Sequence, residues 1–192
     1  MSRFVRILAL MLTIAISVVP AFAAPFVLFP QAGQLVSPDR RFVLRSVENE
    51  SSSTEFVGTF RALWVTELAT GRSRKLCDYM GVAAAAWAGD NYLLVTQYLA
   101  KKTSRALLFA MSDTQADAML DAPTLTRLVP PEMREPLREN DHVFVEASRL
   151  EGEILHVHVW GYGRHDPSGF RWNCQYGLRD GRATCAGEKP SP

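Results

Sequence analysis

Apolar and polar side chains alternate one by one through most of this chain, in short runs that open at Gln34 and close at Cys185. In an extended backbone successive side chains leave opposite faces, so each such run reads as a strand with one inner and one outer face. The runs are Gln34 to Val36, Phe42 to Val47, Phe60 to Leu68, Ser73 to Cys77, Ala83 to Trp87, Tyr92 to Gln97 and Ser104 to Met111. Further on come Leu125 to Val129, His142 to Ser148, Ile154 to Trp160, Phe170 to Tyr176 and Arg182 to Cys185. Turn residues separate them, among them Ser37-Pro38-Asp39, Thr70-Gly71, Gly89-Asp90, Gly152 and Asp166-Pro167-Ser168-Gly169. The pattern predicts an all-β domain. Only residues 112–140 break the rhythm and read as an insertion, with Pro130-Pro131 leading into Glu132-Met133-Arg134-Glu135, a proline-started helix that Pro136 holds to about one turn.

The runs group into three sets of four, each about 50 residues long, a period expected of propeller blades. Two sets end alike, Leu68-Ala69-Thr70-Gly71-Arg72 against Leu178-Arg179-Asp180-Gly181-Arg182. Two begin alike, with Val36-Ser37-Pro38-Asp39 before Phe42-Val43-Leu44 and Trp87-Ala88-Gly89-Asp90 before Leu93-Leu94-Val95. Over residues 36–77 the chain resembles the TolB-like, WD-like β-propeller repeat of bacterial envelope proteins. Its blades run Ser-Pro-Asp-Gly, an apolar strand, then Leu-Trp-Val-x-x-Leu-x-Thr-Gly, and Leu63-Trp64-Val65-Thr66-Glu67-Leu68-Ala69-Thr70-Gly71 follows that pattern. Arg40 stands where the repeat has glycine. The resemblance implies three four-stranded antiparallel blade-like sheets. Closed propellers use four or more blades, so this one is expected to be open, incomplete or completed by association. A β-sandwich is the alternative that alternation and turn spacing also allow.

In the middle set, Tyr92, Leu94, Leu107 and Phe109 are expected on one face and Leu93, Val95, Ala106 and Leu108 on the other, both covered. In the last set Val143, Val145, Ala147, Leu155, Val157 and Val159 make an apolar face. Phe144, Glu146, Ser148, His156, His158 and Trp160 make a mixed one, as a terminal sheet needs on its outer side.

The N-terminus changes the compartment. Arg3 and Arg6, an apolar run from Ile7 to Val19, then Pro20 and Ala21-Phe22-Ala23 read as a secretory signal over residues 1–23. The run is too short for the roughly 20 residues of a bilayer span, and no cysteine follows the cut to carry a lipid. A soluble periplasmic or secreted domain over residues 24–186 is therefore expected, with a disordered tail at 187–192. Removing the leader takes Arg3 and Arg6 from 21 basic side chains and nothing from 20 acidic ones, so the mature charge is near zero. No nucleic-acid partner and no membrane span are expected. Of the three cysteines, Cys174 and Cys185 flank an Asp-Gly turn and are the disulfide candidates in an oxidising compartment, leaving Cys77 over.

All four histidines fall between His142 and His165. His156 and His158 leave one face of a strand, Glu146 lies across from His158 if the apolar faces align, and His165 or Asp166 follows in the next loop. Such nitrogen and oxygen donors suit zinc or a similar divalent ion, the one cofactor that comes into question. Trp160, Tyr162, Trp172 and Tyr176 are a candidate recognition surface, and packing within the last sheet is the competing reading. No Gly-x-Ser-x-Gly elbow, phosphate-cradling glycine loop or His-Glu-x-x-His motif occurs, so no catalytic residue is assigned. The expected function is a non-catalytic, exported β-repeat protein that binds a protein or another envelope macromolecule, with self-association through open sheet edges as a further prospect. The alternatives are a metal-dependent or hydrolytic enzyme using the His/Glu cluster, and a secreted inhibitor or immunity-type protein.

Overall fold

The computed structural model describes residues 25–49, 60–99, 102–112, 116–164 and 166–188. The expected leader, residues 50–59 of the polar loop, His165 and the end of the tail at 189–192 lie outside the described residues.

A short strand β1 (Val27–Phe29) precedes a four-stranded antiparallel sheet of β2 (Gln34–Val36), β3 (Phe42–Asn49), β4 (Phe60–Glu67) and β5 (Ser73–Tyr79), ordered as in the sequence. The turn between β2 and β3 is built by side chains. Ser37 Oγ donates to Asp39 Oδ1 at 2.7 Å and accepts the Phe42 N–H at 2.9 Å. Arg40 sits in this turn at φ 59°, the left-handed region where glycine carries no steric cost.

The remaining strands follow one hydrogen-bonded path, β1-β6-β7-β8-β10-β11-β12-β13, with β9 on the far side of β8. These are β6 (Ala83–Ala88), β7 (Tyr92–Leu99), β8 (Thr103–Ala110), β9 (Ala116–Leu120), β10 (His142–Glu151), β11 (Ile154–Tyr162), β12 (Phe170–Gly177) and β13 (Ala183–Gly187). The repeated hairpin seen in the sequence is repeated in geometry. Gly71 N–H reaches Glu67 O at 2.8 Å and Gly181 N–H reaches Gly177 O at 2.9 Å, with the glycines at φ 68° and 67°. The Arg72 N–H is held by Thr70 Oγ1 and the Arg182 N–H by Asp180 Oδ1, at 3.3 and 3.1 Å.

Two cores lie on the two faces of the middle strands β7 and β8. Phe42, Leu44, Leu63 and Val65 of the first sheet meet Trp87, Leu93, Val95, Leu107 and Phe109 of the middle strands. Leu94, Ala106, Leu108 and Leu120 on the other side meet Val145, Leu155, Val157 and Val159. Each fully buried leucine or valine of these layers contributes about 1.5–3 kcal/mol of transfer free energy. The middle strands are covered on both faces, as alternation predicts, but with a different grouping. Leu93 pairs with Phe109 and Val95 with Leu107, which puts those four on one face and Leu94, Ala106 and Leu108 on the other. Alternation orders side chains within a strand, and only pairing decides which face of the neighbour joins it.

The layers are tied by polar groups as well. Toward the first sheet, the buried Gln97 amide donates to Asp78 O and accepts from Arg105 Nε. Toward the last strands, β10 meets β8 in parallel at one register point, Val143 with Thr103, and is then held by hydroxyls. Ser104 Oγ accepts the Val145 N–H and donates to Val145 O, both at 3.0 Å, and Thr96 Oγ1 accepts the Ala147 N–H at 2.9 Å. A buried N–H left without an acceptor costs about 1–3 kcal/mol, so these hydroxyls let the edge of β10 dock on another strand set.

Residues 112–140 depart from the sequence reading in two ways. The fourth strand beside β8 is β9, inside the expected insertion, and Leu125 to Val129 is not a strand. Leu125 to Leu128 belong to α1 (Ala122–Leu128), capped by Asp121 Oδ1 on the Thr124 N–H at 2.8 Å, and Val129 is its C-cap residue. Leu125, Leu128 and Val129 are spaced i, i+3, i+4, a helical face that a short apolar run does not distinguish from a strand. After a 3-10 turn at Pro131–Met133, α2 (Arg134–Glu139) runs through Pro136. Pro136 is in the first turn, where an N–H has no intrahelical acceptor, so the ring removes no bond. At the other end β13 includes Gly187, one residue into the expected tail, and the Glu188 N–H still bonds Arg171 O at 2.9 Å.

Candidate functional site

The outer face of β10 to β13 carries the chemistry that the histidine cluster suggests. Val143, Val145 and Val159 turn inward, so their neighbours His142, Phe144 and Glu146 on β10 and Tyr162, Trp160 and His158 on β11 turn outward. Register pairs them as His142 with Tyr162, Phe144 with Trp160 and Glu146 with His158. The rings stack across the strands. His142 and Tyr162 centroids are 4.5 Å apart at 4°, Phe144 and Trp160 are 4.1 Å apart at 18°, and Trp160 lies 6.1 Å from Tyr162. Ring faces are thus spent on one another, each pair contributing about 0.5–1.5 kcal/mol beyond its burial. Tyr162 keeps 41% of its surface exposed, whereas Phe144 is buried under its neighbours.

Below this slab lies a hollow of about 300 Å³ lined by Glu146, His158, Trp160, Arg171 and Glu188. Tyr98, from the end of β7, donates its hydroxyl to Glu146 Oε1 at 2.9 Å. Burial first, and the Glu146 charge second, push the Tyr98 phenol far above its usual range, so it remains a donor. His158 Nδ1 is 3.9 Å from Glu188 Oε1. His156 goes elsewhere. A β-bulge between Ala147 and Arg149 places it opposite Arg149, with Nε2 3.4 Å from Glu151 Oε2. Burial, then the Arg149 charge, lowers its pKa, while Glu151 pulls the other way.

A second concavity, of about 800 Å³, opens between the first sheet and the middle strands, with Arg41, Glu67, Arg72, Arg74, Tyr92 and Met111 on its walls. The Glu67 carboxyl is held below the usual range by the Thr70 hydroxyl and then by Arg72.

No protein-family model matches the chain, and no curated protein does. Among solved structures, the chain is similar to the β-propeller domain of the Trilobed protease from Pyrococcus furiosus, described as having an open velcro topology. The TM-score is 0.50 and identity 16%, over 81% of this chain and 43% of that one. The fold is propeller-like. At that identity the likeness concerns fold alone, and the chain spans less than half the length of the structure it matches.

On this propeller-like frame the sequence-derived residues divide. Glu146 and His158 do lie opposite each other, His156 pairs separately with Glu151, and His165 lies outside the described residues. Among the described residues no three His, Cys, Asp or Glu side chains gather closely enough to share a cation. Cys174 and Cys185 are directly opposed and bonded. The four aromatic residues do not form one surface. Trp160 and Tyr162 face out, while Trp172 is buried in the core, its ring 4.3 Å from that of Phe170 and tilted 39° to it, and Tyr176 packs against the same core. Val159 of β11 pairs with Trp172 of β12, so the even-numbered residues that face out on one strand face in on the next. The outward residues of β12 are Arg171, Asn173 and Gln175, whose polar alternation was a readable signal. Tyr98 and Glu188 had none, since each arrives from a distant segment.

Proposed function

We propose that this chain is an exported, non-catalytic β-repeat protein of the cell envelope, related to TolB-like repeats, whose three blade-like strand sets form an open propeller. It binds a protein or other envelope macromolecule through the outer face of β10 to β12. The observation that carries this reading is the aromatic slab of Tyr162, His142, Trp160 and Phe144, bordered by Glu146, His158 and Arg171, on the outermost layer of strands. Rigid aromatic residues beside charged groups are the composition of binding hot spots. The leader and the disulfide-bonded last hairpin fit an oxidising compartment.

The test is cell fractionation together with cross-linking of the exported protein in intact envelopes. One discrete adduct is expected, lost in Trp160→Ala and Tyr162→Ala while circular dichroism shows both variants still folded at the assay temperature. An adduct indifferent to both substitutions, or retention of the chain in the cytosol with its leader uncut, defeats the proposal. A second reading takes Glu146 and His158 as ligands of a zinc-like ion, because register sets them face to face. It requires metal by elemental analysis and a zinc-dependent rise in melting temperature that His158→Ala abolishes.

A further inference from the structure

β13 ends the long sheet path and has a neighbour, β12, on one side alone among the described residues. Its backbone alternates in a definite phase. The Arg182 carbonyl bonds Gly177 N–H at 3.0 Å and the Glu188 N–H bonds Arg171 O at 2.9 Å, so residues 182, 184, 186 and 188 direct their backbone groups toward β12. Ala183, Cys185 and Gly187 therefore direct theirs away from it. Such an edge is commonly guarded by charge, proline or a bulge. The last strand of the first sheet has Arg74, Lys75 and Asp78 along it, whereas β13 runs Ala183-Thr184-Cys185-Ala186-Gly187 with no charged residue and no proline. Its pairing with β12 is free of register shifts, and the Cys174–Cys185 disulfide pins it there.

We infer that β13 pairs antiparallel with β13 of a second copy of this chain, in the register that sets Cys185 opposite Cys185. This register follows from two independent features. It places Ala183 opposite Gly187, so that every outward N–H meets an outward carbonyl. It also places Arg182 opposite Glu188 of the second copy, twice over, in the non-hydrogen-bonded positions where side chains approach most closely. Shifting it by two residues in either direction loses the Arg182–Glu188 pairing. The side chains between are small, so nothing bulky stands along the seam. The two-fold axis runs perpendicular to the sheet, and the two outer faces end on the same side of one continuous sheet. The inference is independent of what those faces bind.

Analytical ultracentrifugation of the purified protein over a concentration series tests it. A reversible dimer is expected. Ala183→Pro should abolish it without lowering the melting temperature, since the N–H it removes points away from β12. Glu188→Arg should weaken it by about tenfold or more, and the swap Arg182→Glu with Glu188→Arg should restore it. A monomer at every concentration overturns the inference, as does a dimer that Ala183→Pro leaves intact. A charge swap that fails to restore association overturns the register.

Discussion

The first sheet and the last four strands close with the same hairpin and share little else. Glu67 to Arg72 and Gly177 to Arg182 make the same turn, with equivalent bonds and glycines at nearly equal φ. Yet β5 is a charged strand, and β13 is uncharged and held by a disulfide. The first sheet is tied to the middle strands by the amide of Gln97, and the last set by the hydroxyls of Thr96 and Ser104. A turn is specified within six residues, while an edge, a face or a joint depends on where the repeat sits in the stack.

Removing the disulfide tests the contrast most severely. Cys174→Ala with Cys185→Ala opens a cross-link of sequence separation 11, and should lower unfolding free energy by about 3 kcal/mol in urea titration. Hydrogen exchange should rise in β12 and β13 and stay unchanged in β4 and β5. Equal loosening of both hairpins would mean that the layers unfold as one unit. Next in size is Thr96→Val, which leaves the buried Ala147 N–H without its acceptor at a cost of about 1–3 kcal/mol. Chemical denaturation should show that loss, with exchange localised to β10.

The paired turns allow a finer comparison. Gly71→Ala and Gly181→Ala force an alanine into the left-handed region, and nothing crowds the added carbon at Gly71 while Tyr176 Oη lies 3.8 Å from it at Gly181. Each should cost about 1 kcal/mol by thermal unfolding. A large difference between them would show that tertiary contacts, not the turn, set the price. The smallest effect belongs to pH. The His156 pKa is depressed in the folded protein below its ordinary value of 6.5, so the unfolded chain takes up the proton first as pH falls. Stability present above that value should decline below it. His156→Gln should flatten the decline in melting temperature between neutral and mildly acid pH, with no counterpart in the first sheet.

How far the site was legible follows the same division. Glu146 opposite His158 could be read from two apolar faces that had to align, because β10 and β11 are joined by a tight turn. His156 could not be placed, because a bulge at Ala147/Arg149 leaves no mark in the alternation. Whether Trp172 joins a recognition surface or packs within the last sheet depends on the β11–β12 register, which alternation does not fix and which sets it inward, and Leu125 to Val129 reads equally as strand or helix over so short a run.

Local chemistry in the chain settled eleven of the twelve strand runs, the repeated glycine hairpin and the opposition of Cys174 and Cys185, because each depends on residues within one strand or one hairpin. Pairing between distant segments decided the grouping of Leu93 with Phe109, the arrival of Tyr98 at Glu146 and, among the described residues, the place of β13 at the end of the sheet path. Period-two alternation has no memory of which strand lies alongside. That choice is made by the burial of both faces at once, which exists only in the assembled layers.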